Sequence, residues 1–173
     1  MNTNILFTAT KVRSFLLTSG DKLIEAAKNG QVDLVQTLLV QVDDINTRDN
    51  LFGRTALMWA ARQGETATVK ILLEQEADIN AADKYGVTAL QASASCGHTA
   101  TVKTILEYGA NINAQDGQGW TALMMAVAHN HSDTVQVLLE NKARKDIQEK
   151  NGLTALIMAQ KHNYSDMVKL LDS

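Results

Sequence analysis

One pentapeptide limits what this chain can fold into more than any other feature. Gly-x-Thr-Ala-Leu occurs four times, at residues 53–57, 86–90, 119–123 and 152–156. Each step is 33 residues. A fixed period of this size marks a stacked array of supersecondary units, each too small to bury its own apolar face. The period outweighs what a length of 173 residues would suggest and predicts one elongated domain.

Around each copy the pattern is the same. Thr stands where an apolar helical stripe begins, and its hydroxyl is placed to accept from backbone N–H groups two or three residues on. The Gly two positions earlier permits a tight turn at positive φ. Leu57, Leu90, Leu123 and Leu156 are expected to point inward, followed by small residues such as Ala60-Ala61 and Ser93-Ala94. A polar break follows, as at Gln63-Gly64 and Cys96-Gly97, and then a second stripe: Val69, Leu72 and Leu73; Val102, Ile105 and Leu106; Val135, Leu138 and Leu139. This is a helix–turn–helix, after which an extended hairpin crosses to the next Gly turn.

Repeats are read at about 20–46, 47–80, 81–113, 114–146 and 147–173. The first lacks its opening turn, and its apolar positions are Leu23, Ala26, Ala27, Val32, Leu34, Val35, Leu38 and Leu39. One residue is inserted near Asn50-Leu51-Phe52, so this loop is expected to bulge. Residues 1–19 are a leader, with a short amphipathic helix expected from about Thr10. Gln160 and Asp172 replace apolar residues of the internal copies, which predicts a polar cap on the last repeat and a complete array.

These residues resemble the ankyrin repeat, whose core motif here reads TALMWA, TALQAS, TALMMA and TALIMA. The flanking GETATVKILLEQEADIN and GHTATVKTILEYGANIN are similar to the family as well, and the resemblance runs from Asp21 to Ser173. It implies an all-α solenoid of about five stacked helix–turn–helix units joined by short β-hairpin-like loops. There are three departures. The family's Pro is Ala throughout. Its His is Met58, Gln91, Met124 and Ile157, so hydrogen bonding between repeats from that position is expected to be missing or altered. The Gly ending the second helix survives at Gly109 but is Val42, Glu76 and Lys142 elsewhere. These three junctions are expected to be weaker, or to turn differently.

Little points to catalysis. His98 sits where the family commonly has a structural His in the inter-helix turn. His129 and His131 are two ligands without a fitting third. Cys96 has only His98 near it in sequence as an activating base, and as a lone cysteine it forms no internal disulfide. No phosphate-binding glycine motif is present. We therefore expect no enzyme, cofactor or metal. A net charge of −3 argues against nucleic acid. No apolar run approaches the roughly 18 residues of a membrane span, and no classical signal peptide is evident, which points to the cytoplasm.

What remains is surface. In this family the hairpin tips and first helices line a concave face, which implies a module that binds another protein, the chain itself being a monomer. By register the candidate residues are Phe52, Arg54, Arg62, Lys84, Tyr85, Val87, Gln118, Trp120, His129, Asn151 and Leu153. Aromatic and Arg side chains are the usual binding hot spots. Trp59 is expected to be core instead. The alternatives are a secreted effector acting on host proteins and a homo-oligomeric structural protein.

Overall fold

The computed structural model describes residues 17–172, in which ten helices follow one another in pairs. They are α1 (Ser19–Lys28), α2 (Val32–Leu39), α3 (Ala56–Gln63), α4 (Thr66–Glu74), α5 (Ala89–Ser95), α6 (Thr99–Glu107), α7 (Ala122–Ala128), α8 (Ser132–Glu140), α9 (Ala155–Lys161) and α10 (Ser165–Asp172). The odd-numbered helices pack against each other in order and form an inner layer. The even-numbered helices form an outer layer, each resting on its partner and on the next outer helix. Almost no strand accompanies them: the hairpin-like loops carry one antiparallel bridge among the described residues, Ala82 to Thr88. The helix expected from about Thr10 lies outside the described residues.

The start of each inner helix follows from its Thr. The Oγ1 atoms of Thr55, Thr88, Thr121 and Thr154 accept from the N–H groups of Met58, Gln91, Met124 and Ile157 at 3.3–3.4 Å. The first repeat lacks the pentapeptide but gains a full capping box. Thr18 Oγ1 accepts from Asp21 N, and the Asp21 carboxylate accepts from Thr18 N. Each inner helix then ends in a left-handed residue: Gly30, Gly64, Gly97, Asn130 and Asn163. Asn is the side chain that tolerates this region best after Gly.

The core is the apolar stripe read from the sequence. Leu57, Leu90 and Leu123 are each 1% exposed, and Val69, Leu72, Val102, Ile105, Val135 and Leu138 are fully buried. Removing one such Leu, Ile or Val from water contributes roughly 1.5–3 kcal/mol. One expected core residue does not fit: Leu34 is 44% exposed. Its counterpart one repeat on, Thr68, is fully buried because the preceding repeat covers it. No preceding repeat among the described residues covers Leu34.

The outer helices settle the question of the missing glycines. Glu76 and Lys142 adopt left-handed φ values of 60° and 65°, as Gly109 does at 84°. At all three ends the following residue donates back to the carbonyl five positions earlier: Ala77 to Leu72, Ala110 to Ile105 and Ala143 to Leu138. Val42 behaves differently. Its φ is not positive, and its N–H continues the helical pattern onto Leu38 O. A β-branched residue is a poor fit to the left-handed region, so the first outer helix ends in a turn of another kind.

Asn side chains stitch the loops together beyond these ends. Asn46 Oδ1 accepts from Asp78 N, Asn80 Oδ1 from Asn111 N, and Asn113 Oδ1 from Arg144 N, at 2.8–2.9 Å.

Candidate functional site

The loops before the inner helices are held by carboxylates. Asp49, Asp83, Asp116 and Glu149 each turn a side-chain oxygen onto their own loop. Asp83 Oδ1 accepts from Tyr85 N and Val87 N, Asp116 Oδ1 from Gln118 N and Trp120 N, and Glu149 Oε1 from Asn151 N and Leu153 N. Asp49 does the same with Phe52, Gly53 and Arg54. The loops are also linked to each other. Lys84 N donates to Phe52 O, Gly117 N to Tyr85 O, and Lys150 N to Gln118 O, at 2.8–3.0 Å. The tip residues Phe52, Tyr85, Gln118 and Asn151 therefore stand in register along one row.

Electrostatics at the two ends of the row follow from this geometry. Burial works against the charge on Asp49. It is outweighed by hydrogen bonds from Phe52 N–H, the Trp59 indole, Arg54 N–H and Gly53 N–H, so the carboxyl titrates below the usual range. Glu149 behaves alike. Desolvation is outweighed by the N–H groups of Leu153 and Asn151, the Asn151 amide and the charge of Lys161, and its pKa is lowered.

The sequence-derived candidates fall into two groups. Arg62, Lys84, Tyr85, Gln118, His129 and Asn151 are exposed, Tyr85 by 63%. Phe52, Arg54, Val87, Trp120 and Leu153 are half-buried, with Trp120 and Leu153 packed against the core. Tyr85 thus offers most of its ring to solvent, whereas Trp120 offers part.

Trp59 is a correction. It packs against the core but is only half-buried, and its ring meets the preceding repeat and its own loop. Its Nε1 donates to Asp49 Oδ2 at 2.7 Å. Lys28 Nζ and the Arg54 guanidinium each lie 5.0 Å from its ring centroid. Arg54 is also 4.7 Å from the Phe52 ring, and its Nε donates to the buried Asp83 carboxylate at 3.0 Å. This cluster joins the first three repeats through cation–aromatic contacts and one ion pair. The signal available in the sequence was that Trp59 alone among its counterparts (Glu25, Ala92, Met125, Met158) has a ring and a polar tip, which needs a partner when covered.

Hydrogen bonding at the His position is altered in one repeat. Gln91 is 1% exposed, and its Oε1 accepts from Thr88 N at 2.8 Å, closing a capping box. Its Nε2 donates to Ala114 O and Trp120 O in the next repeat at 3.1 and 2.7 Å.

Two of the histidines, His98 and His131, are struts between repeats. A carbonyl only accepts, so His98 Nε2 carries the proton it gives to Arg62 O, and His131 Nε2 the one it gives to Ser95 O. His131 repeats the role of His98 one period later, a step visible in the sequence. His129 is exposed, gives its Nδ1 proton to Met125 O and stacks on His131 with centroids 6.2 Å apart. Among the described residues no three His, Cys, Asp or Glu side chains converge to hold a metal ion, and no helix is long and apolar enough to cross a membrane.

A family model for ankyrin repeats (3 copies) matches residues 23–116 and again residues 111–172. No curated protein matches the chain significantly.

Proposed function

The chain belongs to the ankyrin-repeat family, whose members are generally protein–protein interaction modules, and from that premise we propose that it is a non-catalytic adaptor. It takes a protein partner on the face made by the hairpin-like loops and the inner helices. The observation that carries this reading is the row of tips, Tyr85, Gln118 and Asn151. They are held in register by backbone hydrogen bonds yet differ in every repeat. Packing dictates the inward positions and leaves these free to vary. Arg62 and His129 border the row from the inner helices, and Phe52, Arg54, Val87, Trp120 and Leu153 form its floor. Lys84 closes one side. A rigid row of this kind loses little conformational freedom when a partner docks.

The test is capture of lysate proteins on the immobilised chain, with Tyr85→Ala/Gln118→Ala/Asn151→Ala beside the parent. These three side chains are exposed, so the variant is expected to fold, which circular dichroism checks. A second variant, Leu34→Ala/Val40→Ala, alters exposed residues of the outer helix α2 and its end. A protein retained by the parent and by the outer-face variant, but lost by the tip variant, supports the reading. Loss on the outer-face variant with retention by the tip variant refutes it.

A further inference from the structure

The first repeat leaves open a side that every later repeat has covered. In the later outer helices Thr68, Thr101, Thr134 and Met167 are buried at one shared position. Thr101 and Thr134 there meet hydroxyls of the repeat before, Thr66 and Thr99. The later inner helices open with Ala56, Ala89, Ala122 and Ala155, which are buried as well. At the Ala position the first repeat has Lys22, exposed and polar as the end of a stack requires. At the Thr position the change runs the other way. Leu34 puts a large apolar side chain where no repeat among the described residues covers it, and it is 44% exposed.

Charge on this end is one-sided too. Glu25 of α1 faces the same open side, since its counterpart Trp59 reaches back to Lys28 of the preceding repeat. Glu25 is exposed and accepts from Asn29 Nδ2 at 3.1 Å, and among the described residues no cation pairs with it. The first repeat carries Asp21, Glu25, Asp33, Asp43 and Asp44 against Lys22 and Lys28. Residues 1–16 have the complementary composition: Lys11 and Arg13 with no carboxylate, and the apolar Ile5, Leu6, Phe7, Val12, Phe15 and Leu16.

The reach fits as well. The described chain begins at Leu17, beside the Thr18 cap of α1. A helix of ten residues such as α1 is about 15 Å long. The second helix returns alongside the first, so Leu34, in the first turn of α2, stands near the far end of α1. Counted back from Leu17, a helix from Thr10 covers about 10 Å, and three extended residues add about 10 Å more. Lys11 then falls level with Glu25, and Phe7 with Leu34. We propose that residues 5–16 dock on this open side, with Ile5, Leu6 and Phe7 on Leu34 and Lys11 beside Glu25. A second copy fits less well, because two first repeats meeting end to end bring excess carboxylates against each other. The docked leader leaves the tip row free, so the adaptor reading stands or falls separately.

The test is disulfide trapping in the full chain carrying Cys96→Ser. Phe7→Cys/Leu34→Cys is compared with Phe7→Cys/Gln36→Cys under oxidised glutathione, with circular dichroism as the check on folding. Gln36 is exposed on another side of α2, and its counterparts Lys70, Lys103 and Gln136 are exposed in the later repeats. The tether is nearly the same length in both variants, so docking alone separates them, and the Leu34→Cys pair is expected to close within one chain at least about tenfold faster. Adding Lys11→Glu should narrow that difference, and urea should abolish it. A second measurement spares Leu34: Ile5→Ser/Leu6→Ser/Phe7→Ser is expected to lower the urea midpoint of the otherwise unaltered chain. Equal closure in the two pairs, or no closure, overturns the inference. A disulfide between two chains overturns it in favour of a second copy as occupant. An unchanged urea midpoint in the leader variant overturns it as well.

Discussion

Gln91→Met is the sharpest test of how the repeats are joined. Met already occupies the same position at Met58 and Met124, both buried, so shape and backbone accept it. The substitution removes three hydrogen bonds: Thr88 N to Oε1, and Nε2 to Ala114 O and Trp120 O. Trp120 O keeps a second donor, Asp116 N, at 3.0 Å. Thr88 is 6% exposed, so its N–H is left in a place water reaches poorly. A buried donor without a partner costs about 1–3 kcal/mol, and each remaining bond contributes about 1 kcal/mol net. Against this, a buried thioether regains some transfer free energy where the amide was costly to bury. The balance is a loss of about 2 kcal/mol, or a fall in Tm of roughly 4–8 °C for a chain of this size. Urea unfolding followed by circular dichroism reads it as a lower midpoint at unchanged slope. A variant as stable as the parent, or more so, would refute the claim that Gln91 joins the third repeat to the fourth.

Other expectations follow from single atoms. Thr68 Oγ1 is buried with no hydrogen-bond partner, while Thr101 bonds Thr66 and Thr134 bonds Thr99 at 2.7–2.8 Å. The counterpart below Thr68 is Val32, which has no hydroxyl, so Thr68→Val is expected to raise stability by about 1 kcal/mol in urea titration. Glu76→Gly and Lys142→Gly relieve left-handed backbone and should each raise stability by about 0.5–1 kcal/mol. Val42→Gly, at a junction that is not left-handed, should give no gain; a gain there equal to the other two would contradict the φ assignment. Gly97→Ala places a Cβ at positive φ and 2.5 Å from the His131 ring, and is expected to lower the midpoint more than a typical surface change. Asp49 has a folded-state pKa below its unfolded one, so near pH 4 the unfolded chain binds more protons and stability falls with acidification. The stability gap between the parent and Asp49→Asn is expected to be constant from about pH 8 to 5 and to shrink below about pH 4, as unfolding at each pH measures.

The sequence by itself determined the array. Helix starts, inter-helix turns and buried stripes depend on chemistry within a few residues: a Thr hydroxyl three positions from an N–H, a Gly or Asn at positive φ, a Leu one turn on. Repetition at a fixed period makes such local signals reinforce each other. The positions of the tip row were also legible, because residues outside the packing pattern stand out against a period. What only the tertiary structure decided is whatever one repeat offers the next. At Gln91 the sequence left hydrogen bonding between repeats either missing or altered, and the structure makes it altered, because Ala114 and Trp120 present carbonyls where its amide ends. Trp59 was read as core and proves to be a half-buried platform, because Lys28, Arg54 and Asp49 reach its ring and indole from two repeats. Leu34 reads as apolar core, yet no repeat among the described residues covers it. Thr68 reads like its sisters and is left without a partner by one Val in the repeat below. Periodicity states which positions face a neighbour. It does not state which atoms meet there, since each contact depends on two side chains about 30 residues apart that vary independently.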